Sequence, residues 1–188
     1  MNVRIRDVNL NDWKTILEMN LGSVQVLSPL DEARLSQLAN WASYFRVVEK
    51  ADDIQAFIIA MTEGSGYDSP NYRWFADRYE RFLYIDRVVV KDNARGLGLG
   101  SALYRELHDH AHSLEIPWLT CEIDIDPPNP VSLEFHRKLG FEEVGKHCVP
   151  GRGKTVSLQA KNLKQTDRWF NNVRFQGREQ LSVIPWDQ

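Results

Sequence analysis

The sequence predicts a single α/β domain, and three observations support this. The chain has 188 residues, a length that suits one domain, since globular domains run about 100–200 residues. Hydrophobic residues make up 43% and charged residues 26% of the chain, the composition of an ordinary globular protein. Short β-rich runs alternate with apolar patterns of helical spacing, which predicts helices packed on a sheet.

Charge and cysteine content exclude several classes of function. Lys and Arg total 23 against 26 Asp and Glu, a formal charge of -3, so the basic excess of a nucleic-acid-binding protein is missing. Two cysteines, Cys121 and Cys148, without a Cys-x-x-Cys pair, favour a reducing interior. The N-terminus lacks the apolar core of a signal peptide, and apolar runs such as Ala56 to Met61 are too short for a bilayer. We expect a cytoplasmic protein that binds neither nucleic acid nor a membrane.

The first third of the chain predicts a strand, two helices and a hairpin. A brief alternation from Val3 predicts a short strand, and from Asp12 the apolar residues recur at helical spacing. Asp31 is a candidate N-cap for the second helix. Two β-rich runs, Tyr44 to Val48 and Ile54 to Met61, flank a short turn and predict a hairpin.

The segment from Glu63 to Arg78 is predicted as a long loop. Long loops in compact domains are often functional, although aromatic rings can also simply pack a loop against its domain. This loop and its edge are rich in such rings: Tyr67, Tyr72, Trp74, Phe75 and Tyr79.

A glycine-rich loop follows the strongest strand pattern, Phe82 to Val90. The loop runs from Arg95 to Ser101 and leads into an amphipathic helix. Glycines let the backbone approach a ligand without a Cβ clash, and the first helical amides have no internal partner and favour negative charge. The loop therefore predicts a phosphate or pyrophosphate site, with Arg95 as a nearby cation. The alternative is a glycine-rich turn that binds nothing.

Known phosphate-binding patterns narrow the ligand of this loop. No Lys follows the glycines, as a P-loop requires, and the dinucleotide pattern Gly-x-Gly-x-x-Gly fails in both registers. The loop does fit Arg/Gln-x-x-Gly-x-Gly/Ala, with Arg95, Gly98 and Gly100.

The last third predicts a strand, a short helix and a hairpin. The strand covers Trp118 to Ile125. Asn129 can cap the helix, which runs from Pro130 to Leu139 with proline at its first position and glycine just past its end. The hairpin strands are Phe141 to Val149 and Thr155 to Ala160.

Two of these segments resemble the GNAT superfamily of acyl-CoA-dependent N-acyltransferases. The first is Ile85 to Val90 running into Arg95 to Gly100, and the second is Asn129 to Ser132 followed by Phe135 to Phe141. The order of elements also matches, and the chain is most similar to bacterial members described as predicted acetyltransferases. The resemblance implies a GNAT-like fold: a central mixed, mostly antiparallel sheet of about six to seven strands, flanked by helices and splayed at the CoA cleft.

The resemblance also implies the domain organisation and the activity. Residues 1–163 form the acetyltransferase domain, and residues 164–188 form a C-terminal extension, whose apolar residues favour packing on its own domain or on a second copy, as a homodimer. The activity implied is acetyl transfer from acetyl-CoA to a primary amine, by direct attack in a ternary complex. Small amines, amino acids and peptides all stay open as acceptors. The alternatives are an enzyme with a bulkier acyl donor and a non-catalytic acyl-CoA-sensing module.

The family pattern assigns CoA contacts residue by residue. The backbone amides of the glycine loop would bind the pyrophosphate: Gly96, Leu97, Gly98, Leu99, Gly100 and Ser101. The main chain of the preceding strand would bind the pantetheine like an added strand and offer an N–H to the thioester oxygen: Val88, Val89 and Val90. Asn129 and Ser132 match positions that contact the pantetheine arm, although both could serve only to cap their helix.

The catalytic candidates are two carboxylates and a histidine. A lysine-like amine has a pKa of about 10.4, so a base must take its proton before it can attack. Asp86, which strand alternation places on one face with Tyr84 and Val88, is the first candidate, and Glu122 is the second. The alternative for Asp86 is a structural salt bridge with a nearby Arg or Lys.

His136 occupies the position where many family members have a tyrosine that protonates the departing thiolate. Histidine can replace it chemically, since its reference pKa of about 6.5 keeps both protonation states available at neutral pH. The alternative is a histidine that only lines the cleft.

No metal is expected. Of the three alternating histidines His108, His110 and His112, only the first and last share a helix face, and zinc needs three or four converging ligands.

Overall fold

The computed structural model of the chain describes residues 3–24, 27–149 and 153–164. Seven strands form one sheet in the order β1-β2-β3-β4-β5-β7-β6, in which only β4 and β5 pair in parallel. The strands are β1 (Val3–Asp7), β2 (Tyr44–Lys50), β3 (Asp53–Thr62), β4 (Leu83–Val90), β5 (Trp118–Asp126), β6 (Glu142–Val149) and β7 (Lys154–Asn162). The helices are α1 (Trp13–Leu21), α2 (Glu32–Trp41), α3 (Pro70–Ala76), α4 (Leu99–Ser113) and α5 (Pro130–Lys138). The predicted mixed, mostly antiparallel sheet flanked by helices is confirmed.

The helices divide the molecule into two faces of the sheet. One hydrophobic cluster packs α1, α2 and α3 on the sheet through residues such as Ile16, Leu35 and Phe75. The other packs α4 and α5 on the opposite side through residues such as Leu107 and Phe135. We call these the α1–α3 face and the α4–α5 face.

The segment predicted as a loop, residues 63–78, contains helix α3. Ser69 caps it by accepting a hydrogen bond from the Tyr72 amide at 3.4 Å, and Pro70 takes the first helical position. Both residues favour a turn as readily as a helix start, and a helix of 7 residues is too short to show a clear apolar period. The expectation of a loop throughout residues 63–78 is therefore wrong.

Strand β4 carries a bulge at Asp86. Ile59 of β3 pairs with Arg87, and the next residue, Ala60, pairs with Ile85, so Asp86 has no partner on β3. A bulge breaks the alternation of side chains between the two faces. Asp86 and Arg87 consequently both contact residues of the α1–α3 face, whereas Val88 packs on the α4–α5 face. The expectation that Val88 shares a face with Asp86 is wrong for this reason.

The sheet opens between β4 and β5. The two strands pair over only three positions, of which the last is Ile85 with Cys121, while β5 continues beside β7 as far as Asp126. The main chain of β4 beyond Ile85 therefore has no β5 partner, and a cleft opens there. Asp86 and Glu122 are the first residues past the opening on their two strands.

Local capping signals placed two helices as predicted. The Asp31 side chain accepts a hydrogen bond from the Arg34 amide at 2.7 Å, and the Asn129 side chain accepts one from the Ser132 amide at 3.1 Å.

Within the described ranges, no helix is long and apolar enough to cross a membrane. Of the predicted C-terminal extension, residues 165–188 lie outside the described residues.

Candidate active site

Glu122 lies at the opening of the sheet in a buried polar cluster. The Tyr84 hydroxyl donates a hydrogen bond to its carboxylate. Burial, together with the negative charge of Asp86, raises the pKa of Glu122 to about 7, although hydrogen bonds from Tyr84 and Asn71 act in the opposite direction. At neutral pH both protonation states of Glu122 are accordingly populated, which suits a group that accepts a proton.

Asp86 is held by two donors. Arg87 Nε lies 2.5 Å from Asp86 Oδ2, and the Tyr67 hydroxyl donates to Oδ1. Arg87 in turn donates from Nη1 to Asn20 Oδ1 on α1, at 2.7 Å. The two side chains of the ion pair are only 4% and 5% exposed. The salt bridge considered as the alternative role for Asp86 is present. It forms because the bulge directs the side chains of Asp86 and Arg87 to the same face of the sheet.

Three tyrosines cover the two carboxylates. The ring centroids of Tyr67 and Tyr84 lie 6.0 Å apart, and those of Tyr72 and Tyr84 lie 5.5 Å apart. Burial raises the pKa of both Tyr67 and Tyr84, so their hydroxyls keep their protons and act as donors. Within the aromatic loop, Tyr67 both packs in the core and donates to Asp86, whereas the Tyr72 hydroxyl donates to the Thr62 carbonyl oxygen.

The glycine loop meets the N-terminus of α4 on the other side of the opening. Gly96 and Gly98 have φ values of 78° and 75°, a conformation that other L residues rarely adopt, and Gly98 is the N-cap residue. Gly100 is needed for a different reason: an added Cβ would lie 3.3 Å from the Phe135 ring. Arg95 is exposed and pairs with Asp92, with Nη2 2.8 Å from Oδ1.

The predicted CoA-contact residues of β4 flank the opening. Val88 and Val90 pack partly buried on the α4–α5 face, beside Leu99 of the helix that the glycine loop begins. Val89 packs in the cluster of the α1–α3 face, so on the α4–α5 side it can offer only its main chain.

His136 lies on the α4–α5 face and is 4% exposed. Its Nδ1 lies 2.8 Å from the Ser132 carbonyl oxygen, which can only accept, so Nδ1 carries the proton. Its Nε2 then accepts from the Tyr104 hydroxyl, 2.6 Å away. Burial lowers the pKa of His136 to about 4, and the ring is neutral at pH 7. The reference value from which the proton-donor role was inferred does not apply to this site.

The structure therefore groups the predicted residues into two sets. Asp86 and Glu122 lie together on the α1–α3 face, with their partners Tyr67 and Tyr84. The glycine loop, Asn129 and Ser132 lie on the other face, at the N-termini of α4 and α5, and His136 lies on that face in the last turn of α5; the contacts of these residues with CoA stay a prediction. In the described part of the chain, no three His, Cys, Asp or Glu side chains are grouped so as to hold a metal ion.

Sequence reasoning missed several members of the carboxylate cluster. Asn20, Asn71, Tyr84 and Arg87 belong to it; only Arg87 lies in a segment that carried the family resemblance, and none was a site candidate. The density of tyrosines before and in β4 was the only signal in the sequence, and it pointed to the segment without identifying the partners.

A family model described as the acetyltransferase (GNAT) family matches residues 12–141. No curated protein matches the sequence. Many chains of solved structures do match this chain. One is Naa20 of Chaetomium thermophilum in complex with a bisubstrate analogue, with a TM-score of 0.67, 19% identity and coverage of 94% of each chain.

Two further structures show the same fold. The ribosomal-protein-S18-alanine N-acetyltransferase of Escherichia coli has a TM-score of 0.63 and 14% identity, over 92% of this chain and 99% of that one. Naa50 of Arabidopsis thaliana, in complex with the bisubstrate analogue CoA-Ac-MVNAL, has a TM-score of 0.65 and 15% identity, over 86% and 99%.

Proposed function

The chain belongs to the acetyltransferase (GNAT) family, an acyl-CoA-dependent family, and from that premise we propose that it transfers the acetyl group of acetyl-CoA directly to a primary amine in a ternary complex. The observation that carries the proposal is the position of Glu122, a carboxyl with a pKa of about 7, at the point where β4 and β5 separate. Acetyl-CoA would enter from the α4–α5 face, and the amine from the α1–α3 face.

Glu122 is the proposed base, ahead of Asp86. Both oxygens of Asp86 have donors, Tyr67 and Arg87, so a proton would have to compete with an ion pair. Glu122 has no cationic partner among the described residues, and burial favours its neutral form. It can take a proton from an ammonium group directly or through a water molecule. Asp86 would then serve to hold Arg87 and Tyr67 in place and to keep the pKa of Glu122 high.

Acetyl-CoA binding is assigned to the other face. The amides of Gly96 to Ser101 would bind the pyrophosphate, because the first amides of a helix have no internal acceptor and attract anions. The main chain of Val88, Val89 and Val90, which has no β5 partner, would bind the pantetheine. Asn129 caps α5 through its side chain, and its remaining polar atoms, with those of Ser132, are candidates for contact with the pantetheine arm.

The reaction requires the amine nitrogen to lose two protons and the departing thiolate to gain one. The ammonium form of the amine loses one proton to Glu122, its nitrogen attacks the thioester carbon, and the C–S bond breaks as the sulfur leaves with the electron pair. The nitrogen then loses a second proton, and the thiolate gains one to form CoA. His136, the predicted donor to the thiolate, would first have to gain a proton, because its ring is neutral at pH 7 and its Nε2 accepts from Tyr104; its expected contribution is therefore small.

A direct test measures free thiol released from acetyl-CoA in the presence of an amine panel: small amines, free amino acids and short peptides with an unblocked N-terminus. We expect release that depends on both the protein and an amine, with one acetyl group added to the nitrogen as shown by mass spectrometry. Acetyl-CoA without amine is the control for hydrolysis. Binding of acetyl-CoA with no release for any amine would instead support the non-catalytic sensing module.

A further inference from the structure

Glu122 has a second polar partner, which comes from α3. Asn71 is 6% exposed, and its side chain faces Glu122 as a donor that lowers the pKa of that carboxyl. A carboxylate can only accept, so the Asn71 amide nitrogen, Nδ2, must be the donor. Its carbonyl oxygen, Oδ1, consequently points the other way.

His147 of β6 fixes the orientation of the Asn71 amide. His147 Nδ1 lies 2.8 Å from Asn71 Oδ1. Because that oxygen can only accept, Nδ1 must carry a proton. One neutral tautomer of histidine and the imidazolium ion both meet this requirement. The link from His147 through Asn71 to Glu122 therefore persists whether or not His147 is charged.

The same part of β6 also supports α3 by packing. Trp74 of α3 lies against Gly145, where an added Cβ would come within 2.9 Å of the indole ring. The Arg78 guanidinium lies 3.9 Å from the centroid of that ring. Strand β6 is an edge of the sheet, so its residues reach the site only through α3.

We propose that Asn71 and His147 are positioning residues for Glu122: His147 orients the Asn71 amide, and the amide holds the carboxylate at the opening between β4 and β5. Each acts through another side chain. The catalytic consequence rests on the proposed role of Glu122 as the base, whereas the effect on the Glu122 carboxyl itself does not.

The expected direction of the effect follows from the groups that face Glu122. Tyr84 and Asn71 donate hydrogen bonds to it, and Asp86 adds a negative charge. Farther along β5, the next residue on that face, Asp124, is paired with Lys154 at 2.5 Å. On β7 the partner position is the apolar Leu158. Loss of the Asn71 donor removes one of the two side-chain hydrogen bonds that favour the carboxylate, so the pKa of Glu122 must rise.

Two variants and two readouts test the proposal. Asn71→Leu removes the donor at similar volume, and His147→Phe removes the group that orients it. The first readout is the acidic limb of the pH profile of kcat/KM. The second needs no activity: the titration of the Glu122 carboxyl carbon by NMR, identified as the glutamate signal that Glu122→Gln loses.

We expect Asn71→Leu to move both midpoints upward by about one to two pH units, since a hydrogen bond to a charged group contributes about 1.5–3 kcal/mol and one unit corresponds to 1.36 kcal/mol. His147→Phe should move them in the same direction by less. His147→Asn should restore them, because its amide N–H can replace Nδ1–H. His112→Phe, at an exposed position of α4, is the matched control and should change neither.

The outcomes separate this proposal from the proposed function. If the carboxyl titration shifts while the rate profile does not, Asn71 and His147 position Glu122, but Glu122 is not the base. If neither midpoint shifts in a folded His147→Phe protein, the proposal is wrong even if the enzyme is active. Should Asn71→Leu fail to fold, the pair His147→Phe and His147→Asn, on an edge strand, decides the question.

Discussion

Burial shifts the pKa of one carboxyl on the α1–α3 face and of one imidazole on the α4–α5 face, with opposite consequences. On the α1–α3 face burial raises the pKa of Glu122 from 4.5 to about 7. On the α4–α5 face burial lowers the pKa of His136 from 6.5 to about 4. In both cases the neutral form is favoured. At pH 7, however, the shift makes Glu122 a good proton acceptor, while His136 loses the proton it would need to be an acid.

The same comparison applies to stability. Since the pKa of Glu122 is raised in the folded chain, the contribution of this shift to the unfolding free energy is fully present below pH 4.5 and is lost as the pH rises through 7. The pKa of His136 is depressed, so its contribution is present above pH 6.5 and is lost as the pH falls through 4. Each shift corresponds to about 3 kcal/mol in the free energy of unfolding. At neutral pH most of the stabilising contribution of Glu122, on the α1–α3 face, is therefore lost, whereas that of His136, on the α4–α5 face, is present.

The largest expected effect is on the α1–α3 face. Glu122→Gln keeps an acceptor for Tyr84 and removes the base, so we expect kcat to fall by about 10²–10⁴ with acetyl-CoA affinity unchanged. Steady-state thiol release at saturating amine measures it.

Glu142→Gln, the same substitution at an exposed position of β6, is the control and should keep full activity. If Glu122→Gln turns over at the wild-type rate and Asp86→Asn does not, the base is Asp86 and the contrast between the two carboxylates is reversed.

The comparison also shows which features a sequence can reveal. Gly98, Asp31 and Asn129 are recognisable because a turn, a loop conformation or a cap depends on a few neighbouring residues. The bulge at Asp86 depends on how β3 pairs with β4, so simple alternation misplaced Val88. The pKa of His136 depends on burial that no local pattern shows, and its partner Tyr104 lies 32 positions away in the chain. The fold and the position of the glycine loop before α4 could thus be predicted, and the carboxylate cluster only in part.

A smaller effect is expected on the α4–α5 face. Between pH 7 and pH 4, protonation of His136 should lower the unfolding free energy of the wild type by about 3 kcal/mol, while protonation of Glu122 raises it by about the same amount. His136→Phe cannot take up a proton, so its unfolding free energy at pH 4, relative to its value at pH 7, should lie about 3 kcal/mol higher than in the wild type. At pH 7 the variant should be less stable by about 1–3 kcal/mol, because the buried Tyr104 hydroxyl loses its partner. Denaturant titrations at the two pH values measure both.

The control for this measurement is His112→Phe, which should follow the wild-type pH dependence. If the unfolding free energies of wild type and His136→Phe change in parallel with pH, the pKa of His136 is the same in the folded and the unfolded chain. The contrast in stability between the two faces would then not hold.

The smallest expected effect is the stabilisation of the protein by acetyl-CoA, which should depend on the α4–α5 face and not on the α1–α3 face. Acetyl-CoA at 100 times its Kd should stabilise the wild type by about 2.7 kcal/mol, seen as a rise in Tm. Gly98→Glu should abolish that rise, because it places a carboxylate at the N-terminus of α4, where the pyrophosphate is expected to bind. It also imposes a φ of 75° on a residue with a Cβ, which costs about 1–2 kcal/mol without ligand.

Gly64→Glu is the matched control for Gly98→Glu. Gly64 has a φ of 76° and nothing within 4 Å of an added Cβ, and it follows β3 at the end of the sheet where β4 begins. The control therefore carries the same charge and the same backbone strain, but should keep the full rise in Tm with acetyl-CoA. Glu122→Gln should keep it as well, because its defect lies on the other face. A full rise in Gly98→Glu would remove the glycine loop from the CoA site, and loss of the rise in Glu122→Gln would show that the two faces do not act separately.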